Sequence, residues 1–309
     1  MARRILLWLR AVPVALVLGI SLYAGLVKAG VARNPFAPVA AGDLAFARSD
    51  KPGLRVLFVG NSFTFRNDLP ELVQRLSGGR NRIVAVSYTA GGWQLRNFAA
   101  DHELDRVLHE AHWDVVVLQE QSQIPSFAPD YRAREFEPYV RALTEKIEAA
   151  GARPLLFETW GYRTGDRLNL PGDTFALMQA RLAWGYADVA RAVHAGIAPV
   201  GAAWQAALSS RPQLELWDSD GKHPSRVGSY LAACVFYATL TKGNPIGDEF
   251  TDGLTQSDAR FLQRVAWEVT RANSLAPTRR RRIPKAAAQR AVSTPFRPRP
   301  VPDNSARGS

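Results

Sequence analysis

The stretch RVLFVGNSFTFRNDLPELV, residues 55–73, decides the fold that we predict. Four apolar residues suited to a buried strand, 56–59, run into Gly60-Asn61-Ser62, and a helical pattern follows Asp68. Such turn residues also occur where no chemistry takes place, because glycine permits tight turns and Asn and Ser bond nearby backbone. The rest of the chain has to show whether Ser62 has a chemical role.

Apolar strands and helical segments alternate after this stretch. The predicted strands are RVLFVG (55–60), RIVAVSY (82–88), DVVVLQ (114–119), RPLLFETW (153–160) and GIAPVGAAW (196–204), and the predicted helices are 69–77, 94–111, 136–151, 173–194 and 226–242. This order predicts an α/β domain over residues 54–277, with a parallel five-stranded sheet covered by helices on both faces. Ligands bind at the carboxyl ends of such strands, and Ser62 follows the first strand.

The net charge of +11 comes from the two ends of the chain. Residues 1–34 contain five basic and no acidic residues, and residues 278–309 contain nine basic residues and one aspartate. The remaining 25 basic and 27 acidic residues leave the central part nearly neutral. A nucleic-acid-binding domain carries its basic surface within the fold, so we expect no nucleic-acid partner.

The N-terminus, residues 1–33, has two arginines before an uncharged run of 17 residues, 11–27. This length fits both a secretory signal peptide and a membrane anchor, and both alternatives place the domain outside the cytoplasm. An uncleaved segment would make the membrane a partner. Residues 34–53 have the composition of a linker, and the basic tail 278–309 is predicted to be disordered.

A serine nucleophile needs a base, and His223 is the best placed of the five histidines. It lies in a loop before the last predicted helix, three residues after Asp220, whose carboxylate could fix the imidazole tautomer. A helix-capping loop with no catalytic role is the alternative. The other histidines lie among acidic residues or at a helix end, and we expect no metal and no cofactor. The single cysteine, Cys234, excludes an intramolecular disulfide.

These two segments resemble a known family. Residues 60–64, Gly-Asn-Ser-Phe-Thr, resemble the Gly-Asp-Ser block of the SGNH (GDSL-like) hydrolase superfamily, and residues 220–224, Asp-Gly-Lys-His-Pro, resemble its Asp-x-x-His block. The resemblance covers about 54–242 and implies a flavodoxin-like three-layer α/β/α sandwich. It implies a Ser62-His223-Asp220 triad that hydrolyses carboxylic esters. Asn61 replaces the usual aspartate and is a candidate oxyanion donor.

The middle blocks of the family match less closely. Gly91 and Gly92 stand where the resemblance implies a glycine N–H that binds the oxyanion. The third block usually contains an asparagine, but this chain has Gln119, Gln121 and Gln123 there. Gln121 is slightly preferred as the side-chain oxyanion donor, and the other two remain open. These departures indicate a peripheral branch of the superfamily.

An exported enzyme of this kind is implied to remove O-acyl groups, foremost O-acetyl, from a small-molecule or polysaccharide ester. Trp93, Trp160 and Trp217 fall in or next to strand-end loops, where indole rings could stack on sugars or simply pack the loops. The alternatives are a polysaccharide O-acyltransferase, a lipid-directed esterase and a non-catalytic envelope protein.

Overall fold

A six-stranded sheet forms the centre of the fold. The computed structural model describes residues 38–42, 47–48, 52–78 and 82–275, and its strands are β1 (Val39–Gly42), β2 (Leu54–Gly60), β3 (Ile83–Thr89), β4 (Val115–Leu118), β5 (Arg153–Phe157) and β6 (Gly196–Ala198). Their order is β1-β3-β2-β4-β5-β6, and β2 to β6 are parallel. The five parallel strands have the flavodoxin-like order, so the predicted fold class is confirmed.

The sixth strand, β1, corrects the linker prediction for part of 34–53. It pairs antiparallel with β3 at the edge of the sheet. Its sequence, VAAG, has no apolar alternation, and backbone pairing rather than side-chain burial places it there. Gly42 has a φ of +114° and lies so close to β3 that a Cβ would be 2.7 Å from the carbonyl oxygen of Ala85.

Helices cover both faces of the sheet. They are α1 (Ser62–Phe65), α2 (Leu69–Leu76), α3 (Leu95–Ala99), α4 (His102–Glu110), α5 (Pro129–Glu135), α6 (Glu137–Ala149), α7 (Phe175–Ala192), α8 (Val200–Ser210), α9 (Arg226–Thr241) and α10 (Gln256–Leu275), with short 3-10 turns at Arg66–Asp68 and Ile124–Ser126. α2, α9 and α10 pack in one layer, α3 to α7 pack in the other, and α8 contacts both.

Several predicted elements have different bounds in the structure. The helix predicted over 94–111 is two helices, because Asp101 caps the start of α4 by accepting a hydrogen bond from the N–H of Glu103 at 3.2 Å. The strand predicted over 196–204 ends at Ala198, and α8 begins immediately after Pro199. Four helices, α1, α5, α8 and α10, lie outside the predicted helices. In the described part of the chain, no helix is long and apolar enough to cross a membrane.

The carboxyl end of β2 is the point where the strand order reverses, with β3 on one side and β4 on the other. In open α/β sheets this reversal opens the crevice in which ligands bind. Residues 56–59 of β2 are completely buried, so the turn that follows begins from a strand packed on both faces. The predicted N-terminal segment 1–33 and the tail 278–309 lie outside the described residues.

Candidate active site

Ser62 is the first residue of α1, directly after β2. Asn61 caps this helix, because its Oδ1 accepts from the N–H of Phe63 at 3.2 Å, and its Nδ2 donates to the carbonyl oxygen of Trp93 at 2.8 Å. N–H groups in a first helical turn have no intrahelical partner. The N–H of Ser62 finds none elsewhere among the described residues, so it is free to bind an oxyanion.

The three residues of the predicted triad lie together, although 161 positions separate Ser62 from His223. His223 Nε2 lies 2.9 Å from Ser62 Oγ, and His223 Nδ1 lies 2.5 Å from Asp220 Oδ2. This is the order of contacts in which a histidine takes the serine proton and a carboxylate holds its far nitrogen. The arrangement can activate a serine for attack on an acyl carbonyl.

Asp220 is held as an anion by the loop it belongs to. Partial burial by itself would raise the pKa of Asp220, but hydrogen bonds from the His223 ring and from the backbone N–H groups of Lys222 and His223 outweigh it. They lower this pKa to about 2. Both backbone bonds reach Asp220 Oδ1 at 2.9 Å. Asp220 is therefore ionised throughout the neutral range and can stabilise a protonated His223.

A stack of aromatic rings supports the imidazole from behind. The ring of Phe63 lies 5.4 Å from that of His223, Trp160 stacks on Phe63 at 4.9 Å, and Trp204 stacks on Trp160 at 4.0 Å. Trp160 Nε1 also donates to the carbonyl oxygen of Lys222 at 2.9 Å. No sequence pattern predicts this stack. The local feature that points to the stack is an aromatic residue, Phe63, directly after the candidate nucleophile Ser62.

The prediction that three tryptophans contact sugar is wrong for two of them. Trp160 is completely buried in the stack just described, and Trp217 is only 7% exposed. Trp217 Nε1 donates to the carbonyl oxygen of Gly161, which ties two loops together. Both indoles pack loops because their faces are already covered by protein. Trp93 is half-buried against Phe98 and stays a candidate for substrate contact.

Gly91 and Gly92 form an exposed turn after β3, beside the end of β2. Gly92 has a φ of +74°, a backbone conformation that favours glycine. A Cβ built on either residue meets no atom within 4 Å, so the space next to the turn is open. Their N–H groups have no hydrogen-bond partner among the described residues and are available to an oxyanion, whereas the Asn61 amide, also predicted as a donor, is already engaged.

Gln119 holds the serine turn from below. Its Oε1 accepts from the N–H of Asn61 at 2.8 Å and from the hydroxyl of Thr64 at 2.9 Å, and its Nε2 donates to the carbonyl oxygen of Glu120. The N–H of Asn61 can only donate, so the atom facing it must be the oxygen. As an oxyanion donor the prediction of Gln119 is wrong, because this fully buried amide positions the turn.

The other two glutamines form the loop after β4. Gln121 Nε2 donates to Gln123 Oε1 at 3.2 Å, and Gln123 Nε2 donates to Asp166 Oδ2 at 3.0 Å. The Gln121 amide is engaged within the loop after β4, and the Gln123 amide reaches the loop after β5. The preference for Gln121 as a side-chain oxyanion donor stays a prediction, and in that role its amide would have to leave Gln123.

Glu120, between these glutamines, is a buried carboxyl group that sequence reasoning missed. Complete burial raises its pKa to about 8, against the opposing effect of hydrogen bonds from the N–H groups of Gln121 and Leu95. Those bonds measure 2.5 and 3.1 Å and join the loop after β4 to the start of α3. Glu120 thereby fixes the spacing between the two loops that border the site.

Gln119→Ala is expected to lower the free energy of unfolding by about 2 to 4 kcal/mol, because two buried donors lose their acceptor. Urea unfolding followed by circular dichroism measures the loss. Thr64→Val, which removes one of the two donors, is the matched control and should cost about half as much or less. If Gln119→Ala keeps its stability but loses about 10² to 10³ in kcat at constant KM, Gln119 is an oxyanion donor after all.

Comparison with known proteins agrees with the fold. No protein-family model and no curated protein matches the chain. Among solved structures, a candidate SGNH hydrolase from Slackia heliotrinireducens is similar at 32% identity over 61% of this chain and 99% of its own, with a TM-score of 0.52. A DUF4886 family protein from Bacteroides uniformis is similar at 18% identity over 74% of this chain and 98% of its own, with a TM-score of 0.59.

The second similarity shows the fold alone, whereas the first spans nearly the whole of a relative at substantial identity. The resemblance in residues 60–64 and 220–224 is therefore confirmed. With its serine at the carboxyl end of β2 and its histidine before α9, the chain is a hydrolase and belongs to the SGNH (GDSL-like) superfamily.

Proposed function

We propose that the protein is an exported serine esterase that removes O-acetyl groups from carbohydrate. The observation that carries this proposal is the continuous hydrogen-bonded chain from Ser62 Oγ through His223 to Asp220 at the carboxyl end of the sheet. Free N–H groups of Ser62 and the Gly91-Gly92 turn border it. A nucleophile, its base and oxyanion donors are the parts that acyl transfer requires.

In the first half of the reaction, Ser62 Oγ attacks the ester carbonyl carbon while His223 Nε2 takes the hydroxyl proton. The negative charge that forms on the carbonyl oxygen is bound by the free N–H groups, and the charge on the imidazole is balanced by Asp220. When the ester C–O bond breaks, His223 gives the proton to the departing alcohol. The acyl group is left on Ser62.

In the second half, water replaces the alcohol. His223 takes a proton from the water, and the resulting hydroxide attacks the acyl carbon. The bond to Ser62 Oγ then breaks, and His223 returns the proton to the serine. The products are a carboxylic acid and the free enzyme.

A short acyl group fits the surface better than a long one. Only three large apolar side chains are exposed among the described residues, Phe65, Leu168 and Ile246, and they are scattered along the chain. A long acyl chain gains its binding energy by burying each methylene in apolar surroundings. Three separate side chains supply no continuous channel for one.

Export and a carbohydrate substrate are inferred from the sequence. The basic and apolar segment 1–33 has the pattern of a signal peptide or an anchor. Trp93 is half-buried beside the serine turn, where one indole face can contact a sugar ring. A polysaccharide or a smaller glycoside outside the cytoplasm is accordingly the proposed substrate.

The chain is expected to hydrolyse short esters faster than long ones. Purified full chain in mild detergent should show kcat/KM for p-nitrophenyl acetate about tenfold above that for p-nitrophenyl octanoate, because the described residues offer no continuous apolar channel for the longer chain. Release of acetate from acetylated sugars measures the proposed natural reaction. A preference for the octanoate would contradict a short acyl group and favour the lipid-directed alternative.

Two further measurements separate the remaining alternatives. An O-acyltransferase would move the acetyl group to an added saccharide acceptor, so mass spectrometry of the products with and without acceptor identifies it. A non-catalytic envelope protein would leave Ser62 unreactive toward a fluorophosphonate probe. Labelling of the wild type but not of Ser62→Ala excludes that possibility.

A further inference from the structure

A cleft of about 550 Å³ opens beside His223, between the loop that follows β5 and the loop that carries the histidine. Asp220 and Lys222 line it from one side, and Tyr162 and Arg167 from the other. Because Asp220 also contacts the His223 ring, the cleft adjoins the triad. The acyl transfer described above does not use this space.

Two positive charges in the cleft have no carboxylate partner. Three basic residues line it, and Arg163 is paired with Glu215 at 2.6 Å. Arg167 and Lys222 form no ion pair with any described residue. These two side chains therefore present unpaired positive charge to whatever enters the cleft.

The carboxylates that line the cleft are engaged elsewhere. Asp166 Oδ2 accepts from the amides of Gln123 and Asn169 at 3.0 and 2.8 Å. Asp220 accepts from His223 and the backbone of its own loop. The third lining carboxylate, Glu215, pairs with Arg163, and none of the three forms an ion pair with Arg167 or Lys222, so an anion from outside would complete their pairing.

Contacts within the protein hold both cationic side chains in position. Arg167 Nε donates to the carbonyl oxygens of Thr164 and Asp173 at 3.0 and 3.2 Å, and its terminal amino groups bond to no described residue. Lys222 Nζ lies 5.2 Å from the ring centroid of Tyr162, a cation–π contact. Preformed positions reduce the entropy lost when a ligand binds.

The sheet topology indicates which part of an ester would reach the cleft. The Gly91-Gly92 turn follows β3, whereas the cleft loop follows β5, and these strands lie on opposite sides of β2. The carbonyl oxygen must face the N–H groups on the β3 side. The departing alcohol must face His223, which protonates it, and so extends toward the β5 side and the cleft.

We propose that the alcohol part of the substrate carries an anionic group, a carboxylate or a phosphate, which Arg167 and Lys222 bind in this cleft. The inference rests on the proposed esterase function and names its substrate class, an acetylated acidic saccharide. Leu168, 84% exposed at the rim, can contact the apolar face of the sugar.

The test compares three acetylated sugars at low ionic strength, a neutral methyl glucoside, a glucuronate and a glucose phosphate. Wild type should show kcat/KM about tenfold higher for one or both anionic sugars, and added NaCl should reduce this preference. Arg167→Gln and Lys222→Gln should each reduce it by about threefold to tenfold. Arg260→Gln, an exposed residue of α10, is the matched control and should keep it. The glucuronate and phosphate arms decide which anion is recognised.

Binding gives a readout that does not depend on turnover. Calorimetry on Ser62→Ala with glucuronate, glucose 1-phosphate and glucose should show tighter binding of at least one anion, lost in Arg167→Gln. Equal binding of all three, or equal kcat/KM for neutral and anionic esters, overturns the anionic substrate while leaving the esterase intact. If no ester is hydrolysed yet the anions bind selectively, the esterase proposal fails and the anion site stands.

Discussion

Ser62→Ala and His223→Ala are each expected to lower kcat for p-nitrophenyl acetate by a similar factor, on the order of 10⁴ to 10⁶. Ser62 Oγ and His223 Nε2 lie 2.9 Å apart, so we expect them to act as one unit. A serine without its base is a weak nucleophile, and a base without the serine has no hydroxyl to activate. The double variant should therefore be little worse than either single variant. Steady-state kinetics on the purified chain measures all three.

Controls for this comparison come from the same chain. Ser209 and His109 are exposed on α8 and α4, so their alanine variants should keep near wild-type kcat. Circular dichroism melting curves verify that each variant is folded. Losses that multiply in the double variant would mean that Ser62 and His223 act independently, and the shared proton transfer would have to be abandoned.

The fold was predictable where burial leaves a continuous apolar run in the sequence. β2 and β4 are buried on both faces, and residues 56–59 and 115–118 are entirely apolar. Such runs occur in parallel strands covered by two helix layers. The parallel direction of these strands followed from their alternation with helices, because right-handed crossovers place the helices on both faces of the sheet. Their flavodoxin-like order was implied by the family resemblance.

The missed elements are those whose stability does not come from such a run. β1 is four small residues held by backbone pairing with β3, which no side-chain pattern records. α10 did carry a signal, since Ala259, Leu262 and Ala266 recur at helical spacing and are completely buried. The alternation of strands and helices does not require it, because it follows the last helix of that pattern.

Within the site, short-range contacts were predictable and long-range packing was not. The spacing of Asp220 and His223 allows a contact inside one loop, and in the structure Asp220 Oδ2 lies 2.5 Å from His223 Nδ1. The burial of Trp160 depends on Phe63 and Trp204, which are distant in sequence. The acceptor role of Gln119 depends on an N–H 58 positions away. Because these partners are distant in the chain, one sequence does not reveal which of them will be in contact.

Asp220→Asn is expected to lower kcat by a factor on the order of 10⁴, because it changes the tautomer of His223. Asp220 Oδ2 accepts the Nδ1 proton and leaves Nε2 without one, ready to receive the proton of Ser62. An asparagine can turn its NH₂ group to Nδ1, which places the imidazole proton on Nε2 and blocks that transfer. Since the pKa of Asp220 is about 2, the wild-type carboxylate is ionised throughout the neutral range, and the variant is compared with a single charge state of Asp220.

Asp218→Asn is the matched control for this substitution. Asp218 lies in the same loop, but its Oδ2 pairs with Arg66 at 2.9 Å on an exposed surface, so its kcat should stay within about threefold of wild type. In Asp220→Asn the asparagine oxygen can still accept from the N–H groups of Lys222 and His223, which keeps the loop in place and confines the loss to proton transfer. Equal activity of the two variants would remove Asp220 from the mechanism and leave His223 to be oriented by the aromatic stack alone.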